Sequence, residues 1–199
     1  MLARSLAPVA VVALMFASAA HAQAPLNLRG KIVALTGDAL AITTRDGVAA
    51  TVKLAPGWGV SSLKKVTAAE IKPGSFIGTT EEDHADGRGR SLEVHIFPPG
   101  VKLGEGHYAW DLKPGSNMTN GTVGKVDAVD GGRQLEISYP TGQRKVVVPP
   151  NVPIVAIAPG DKTMLVPGAL VFIRAVKTPD GSYASNHVTV GDKVSPPPM

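Results

Sequence analysis

Apolar and polar positions alternate along most of this chain, and turn-forming residues punctuate the alternation at short intervals. Leu28 to Leu35 reads as a strand and Gly37-Asp38 as a turn. Ala39 to Thr44 alternates with period two. Asp46-Gly47 is a hairpin signal, because glycine supplies the positive φ that a tight two-residue turn demands. Ala50 to Leu54 returns, and Pro56-Gly57-Trp58-Gly59 is expected to break the pattern. Thr67-Ala68-Ala69-Glu70 has the spacing of a capped helical turn, ended by Lys72-Pro73-Gly74. Ser75 to Thr80 and Ser91 to Phe97 read as a fourth and fifth strand around the Asp86-Gly87-Arg88-Gly89 turn.

The same plan then recurs at a nearly constant spacing. Gly30-Lys31 returns as Gly124-Lys125, Val52 as Val146, Pro56 as Pro150 and Pro73-Gly74 as Pro167-Gly168. Asp86-Gly87 returns as Asp180-Gly181, and Val94 as Val188. Strands are expected at Gly121 to Val129, Gln134 to Tyr139, Arg144 to Val148, Ala169 to Lys177 and Tyr183 to Val190, with prolines 149, 150 and 153 marking a break. A fixed period over this length implies two copies of one structural unit. Regularly spaced strands with a helical turn between the third and fourth predict an all-β fold: two tandem five-stranded, OB-like small barrels. The expected units are barrel one at 26–98, a connector at 99–120, barrel two at 121–191 and a Pro-rich tail at 192–199.

This order of strand, turn and Pro-Gly or Asp-Gly signals resembles a bacterial family of exported five-stranded OB-like domains of unknown function. The resemblance spans about residues 28–98 and 122–191. It implies fold and export, and it carries no catalytic residues. The chain departs from it in the long segment between the copies.

Composition fits that picture. Leu6 to Ala20 is an apolar run after Arg4, and Ala20-His21-Ala22 precedes Gln23. This is the pattern of a secretory signal peptide over residues 1–22, cleaved near Ala22-Gln23. The run falls short of the ~20 apolar residues that span a bilayer. A periplasmic or secreted protein with no transmembrane segment in its mature part follows. Loss of Arg4 lowers the formal charge from +4 to +3. The basic residues are scattered pairs (Lys64-Lys65, Arg88 with Arg90, Arg144-Lys145), which argues against a nucleic-acid partner. Zero cysteines exclude disulfides, thiol nucleophiles and thiolate metal sites.

Two constellations hold candidate chemistry. The connector, PPGVKLGEGHYAWDLKPGSNMTN from Pro98 to Asn120, gathers His107, Tyr108, Trp110, Asp111 and Asn117 in a stretch without strand periodicity. A loop of this length is expected either to plug the space between the barrels or to bind a ligand. The second set is Asp83, His84, Asp86 and His95. Carboxylates and imidazoles suit divalent cations, and pairing across the Asp86-Gly87 turn could bring His84 near His95. No nucleophile elbow, zinc-protease helix or phosphate loop is present. The expected function is a non-enzymatic envelope protein without a resident cofactor, binding a protein or small ligand through the connector. Divalent-metal binding or delivery is the alternative.

Overall fold

The computed structural model describes residues 24–191. The expected signal peptide with its cleavage point, and the Pro-rich tail, lie outside the described residues. The fold is all-β: β1 (Leu26–Thr36), β2 (Ala39–Thr44), β3 (Ala49–Lys65), β4 (Phe76–Asp83), β5 (Gly89–Ile96), β6 (Gly106–Ala109), β7 (Ser116–Val129), β8 (Gly132–Tyr139), β9 (Gly142–Val148), β10 (Ile154–Pro159), β11 (Leu170–Lys177) and β12 (Tyr183–Val190). Two 3-10 turns, Ala68–Glu70 and Lys162–Met164, complete the regular structure. Thr67 precedes the first of these, but its side chain makes no capping hydrogen bond. No helix among the described residues is long and apolar enough to cross a membrane.

Period-two burial builds each strand. In β2, Leu40 and Ile42 are buried between more exposed neighbours. The inward sets close a five-stranded barrel. β1 pairs with β2, β2 with β3, β3 with β12 in parallel, β12 with β11, and β11 with β1. Ile32, Leu40, Val52, Ile173 and Val188 fill it. Five of the other seven strands pair in a second circuit, β4–β7–β8–β9–β5. The parallel contact of β5 with β9, through Gly89↔Val146 and Arg90↔Val147, completes that ring. Ile77, Val94, Val123, Leu135 and Ile137 form its core.

The first barrel is therefore not the contiguous unit expected at 26–98. It takes β1–β3 from one copy of the pattern and β11–β12 from the other, while β4 and β5 join β7–β9. The physical cause lies in β3. Pro56-Gly57-Trp58-Gly59 does not end that strand; it forms a bulge. Leu54 opposes Ser185 and Gly59 opposes His187, so the extra residues loop out. Gly57 sits at φ 78°, where glycine alone is unstrained. The Trp58 side chain turns into the first core and donates Nε1–H to Asp38 Oδ1 at 2.8 Å. β3, 17 residues long with the bulge included, then continues from Gly59 to Lys65, about 20 Å at ~3.3 Å per residue, and delivers β4 and β5 to the second ring. β10, which follows the expected break at prolines 149, 150 and 153, runs antiparallel to the end of β3, with Leu63 opposite Ile157.

A second correction concerns register. Gly30 lies where an added Cβ would sit 2.4 Å from the Thr43 carbonyl oxygen. Gly121 occupies the matching place, with an added Cβ 2.4 Å from the Ser138 oxygen, whereas at Gly124 the nearest atom is 3.7 Å away. Gly30 thus corresponds to Gly121, not Gly124. β7 also begins at Ser116, inside the expected connector, and β6 pairs with it.

Candidate functional site

Outward-facing residues of β11, β12, β3, β10, β5 and β4 form one continuous surface between the two rings. Phe172 opposes Thr189, Thr189 opposes Ser61, and Ser61 opposes Pro159. Farther along, Val155 opposes His95, and His95 opposes Gly78. The segment from Phe97 to Trp110 folds over this surface and encloses a cleft of about 500 Å³. Phe97, Val101, Met118 and Phe172 give the cleft an apolar lining.

Tyr108 and Trp110 both line it. β6 pairs with β7, Tyr108 opposite Met118, so alternate residues of the two strands point the same way. The Trp110 ring packs 6.4 Å from Phe172 and joins the small core of Leu63, Val155 and Ile157. Plug and cleft wall are thus one residue. Asp111 lies apart and ties the segment to the first barrel, accepting from Arg29 Nη2 at 2.8 Å and Asn27 Nδ2 at 2.9 Å. Burial would raise its pKa, but the Arg29 and Asn27 hydrogen bonds outweigh that and hold it below the ordinary carboxylate value.

The deep wall is polar and ordered. Glu93, fully buried, accepts from the Thr80 amide and hydroxyl, both at 2.8 Å. Its other oxygen lies 3.1 Å from His95 Nδ1. Taking Nδ1 as the donor to this carboxylate leaves Nε2 for the cleft side. Asn120, 5% exposed, donates Nδ2–H to the Gly104 carbonyl at 2.9 Å and to the Tyr108 hydroxyl at 2.8 Å. A carbonyl can only accept, so the amide orientation is fixed and Oδ1 points away from Gly104. Asn120 Oδ1 and His95 Nε2 converge beside Gly78, where an added Cβ would lie 2.2 and 2.1 Å from them. Asn120 Oδ1 and Trp110 Nε1 are buried without a hydrogen-bond partner.

On the opposite wall, Ser61 Oγ and His187 Nε2 meet at 2.9 Å. This is a nucleophile-to-base contact between strands far apart in sequence. Burial lowers the His187 pKa. Its Nδ1 faces Gly59, where an added Cβ would be 3.2 Å away, and among the described residues no carboxylate bonds to it. The contact lacks the third, orienting group of a hydrolytic triad.

His107 and Asn117 do not line the cleft. His107 Nδ1 lies 2.8 Å from Thr119 Oγ1, which donates to Glu81 Oε1 at 3.2 Å. Arg144 donates Nε–H to the same oxygen at 2.7 Å and also holds Asp83. Burial raises the pKa of Glu81 despite Arg144, and burial followed by Arg144 lowers that of His107. Asn117 opposes Glu81 and Ala109 along β7.

The proposed metal set is dispersed. β4 and β5 do pair, but His95 falls opposite Gly78, while Asp83, beside His84, falls opposite Gly89. Six residues of strand, roughly 20 Å, separate the two histidines. Asp83 is engaged by Arg144, and Asp86 by Arg88 with His84 Nδ1 3.3 Å away. Hydrogen bonds from Arg88 hold the Asp86 carboxyl far below its ordinary value. Among the described residues, no three His, Asp or Glu side chains gather as a metal would require. The cleft residues that sequence reasoning did not assign to a site (Ser61, Phe172, Arg174 and His187) carry no local motif; the exchange of strands between rings assembles them, whereas Asn120 reaches the cleft through the local β6–β7 pairing.

Comparison of the chain with protein families, with curated proteins and with solved structures found no match.

Proposed function

We propose that the chain is an exported, non-enzymatic binding protein of the bacterial cell envelope, built from a tandem pair of OB-like barrels, that holds a small ligand in the cleft beneath residues 97–110. The tandem reading is supported by matching registers. Val60 opposes Val188 as Ile154 opposes Val94, and Val52 opposes Tyr183 as Val146 opposes Gly89. The export reading is supported by the pattern of residues 1–22.

One observation carries the binding reading. Two polar atoms of cleft-lining residues, Trp110 Nε1 and Asn120 Oδ1, are buried and unpaired. A buried unpaired donor or acceptor costs about 1–3 kcal/mol, a cost that bound ligand groups remove. The cavity volume of about 500 Å³ falls within the ~300–1,000 Å³ of small-molecule sites, which are mostly apolar with a few convergent polar groups. The metal-delivery alternative rests on the His84–Asp86 contact alone.

Native mass spectrometry of the protein purified from its own cell envelope tests the reading. The expected result is a small-molecule adduct that is absent in Trp110→Ala. A bare polypeptide mass, together with no stabilising compound in a thermal-shift screen, would sink it.

A further inference from the structure

Arg174 is the one arginine or lysine on the cleft wall, and no aspartate or glutamate lines it. β11 alternates, so Ile173 and Ala175 enter the first core while Phe172 and Arg174 face outward. Three other arginines are matched by carboxylates, Arg29 by Asp111, Arg88 by Asp86, and Arg144 by Glu81 and Asp83, whereas Arg45, Arg90 and Arg133, which lie away from the cleft lining, are not matched among the described residues. Arg174 has no ion pair among the described residues, and its charge reaches the Tyr108 hydroxyl across the cleft. Two acidic side chains lie beside this surface: Glu93 is fully buried and already occupied by Thr80 and His95, and Asp111, bonded to the Asn27 that opposes Arg174, is held by Arg29 and Asn27. The neighbouring polar groups are the Ser61–His187 pair, already bonded to each other, and Trp110 Nε1, an unpaired donor. An apolar channel with an uncompensated guanidinium at its rim is complementary to a molecule of opposite character.

We propose that the cleft selects an organic anion, its carboxylate or phosphate monoester head seated on Arg174 and its apolar body lying under Trp110 against Phe172 and Met118. This rests on the ligand-binding reading above and deepens it. The bidentate geometry of guanidinium suits both heads, and the apolar walls exclude a fully hydrated polyanion.

Isothermal titration calorimetry of the purified protein with four ten-carbon probes tests it: decanoate, decyl phosphate, decanol and decyltrimethylammonium, each below its micellar concentration. Decanoate or decyl phosphate is expected to bind at least tenfold more tightly than decanol, with the better of the two identifying the head group, and the ammonium probe is expected not to bind. Arg174→Met should weaken the anions roughly tenfold to a hundredfold, the usual range for losing a charge-assisted hydrogen bond, and leave decanol unchanged. Arg174 is exposed, so this variant should keep its fold, and an unchanged circular dichroism melt checks that. Equal binding of decanol and the anions, indifferent to Arg174→Met, would overturn the anion selectivity while leaving a cleft that binds. Absence of binding by every probe would overturn this inference, and a native adduct that still disappears in Trp110→Ala would then show that the binding reading survives without it.

Discussion

Leu63 of β3 lies opposite Ile157 of β10, at the middle of the antiparallel run that joins the two rings. Leu63 is 8% exposed and packs with Val155 and Phe172. Leu63→Ala should cost about 2–3 kcal/mol, lowering the melting temperature by roughly 5–10 °C. Because each ring takes strands from both halves of the chain, the loss should appear in one cooperative transition. Differential scanning calorimetry that resolves two independent transitions would contradict the shared junction.

A fragment spanning residues 24–98 holds β1 to β5 but lacks β11, β12, β7 and β9, which pair with β1, β3, β4 and β5 respectively in the intact chain. It should be unfolded or self-associated at micromolar concentration. Size-exclusion chromatography with circular dichroism checks this, and a monomer with native-like strand content would show that the hairpins can fold back within one copy.

The register correction makes opposite forecasts for two nearby glycines. Gly121→Ala forces a Cβ to within 2.4 Å of the Ser138 carbonyl and should cost about 1–3 kcal/mol, as overpacking does. Gly124→Ala meets nothing nearer than 3.7 Å and should stay within about 0.5 kcal/mol of wild type, as surface changes do. Urea denaturation of both variants measures the difference. The reverse order would restore Gly124 as the partner of Gly30.

Trp110→Ala should lower the melting temperature, because the indole packs on Phe172 and the junction core, and should also abolish ligand uptake. Trp110→Phe should keep most of the packing but lose the Nε1 donor. A Phe variant that binds as well as wild type would assign Trp110 to packing alone.

Stability should depend on pH through the pair behind β6. The folded-state pKa of His107 is held below 6.5, mainly by burial and then by Arg144, with Asp83 opposing. Between that lowered value and 6.5 the unfolded chain binds more protons, so stability falls as pH drops through the window. Glu81 acts in the opposite sense. Burial raises its pKa above 4.5, so its contribution is greatest below 4.5 and declines as pH rises through the raised value. His107→Asn should therefore lose less stability than wild type on acidification from about pH 7 to about 5.5, read as the change in melting temperature. An identical loss in both proteins would remove His107 from the account.

Strand positions were legible in the sequence because inward residues sit two apart, Leu40 with Ile42, Val52 with Leu54, Val171 with Ile173 and Val188 with Val190, a spacing that the alternation of strand faces enforces. Tyr183 to Val190 is found at the residues expected. The bulge in β3 was not legible, since Pro-Gly reads equally well as a strand end; what continues the strand is the parallel partner β12, more than a hundred residues away. The exchange of hairpins escaped for a related reason. The recurring pattern offered each strand more than one plausible partner, and the long β3, with β10 along its end, carries the chain from the first ring to the second.

The site followed the same division. Tyr108 and Trp110 stood out as aromatics in a segment without periodicity, and they line the cleft. Ser61, Arg174 and His187 are ordinary outward-facing strand residues whose meeting depends on which hairpin closes which ring. His84 and His95 failed to meet because register, not proximity in sequence, sets distance along a hairpin.

The order in which the chain becomes available has a consequence of its own. A polypeptide threaded out of a pore amino end first presents β1, β2 and β3 early, yet their ring stays open until β11 and β12 arrive. The second ring, begun later, has all five of its strands once β9 has emerged. Its assembly should therefore come first, with the earliest strands held waiting as an open sheet edge.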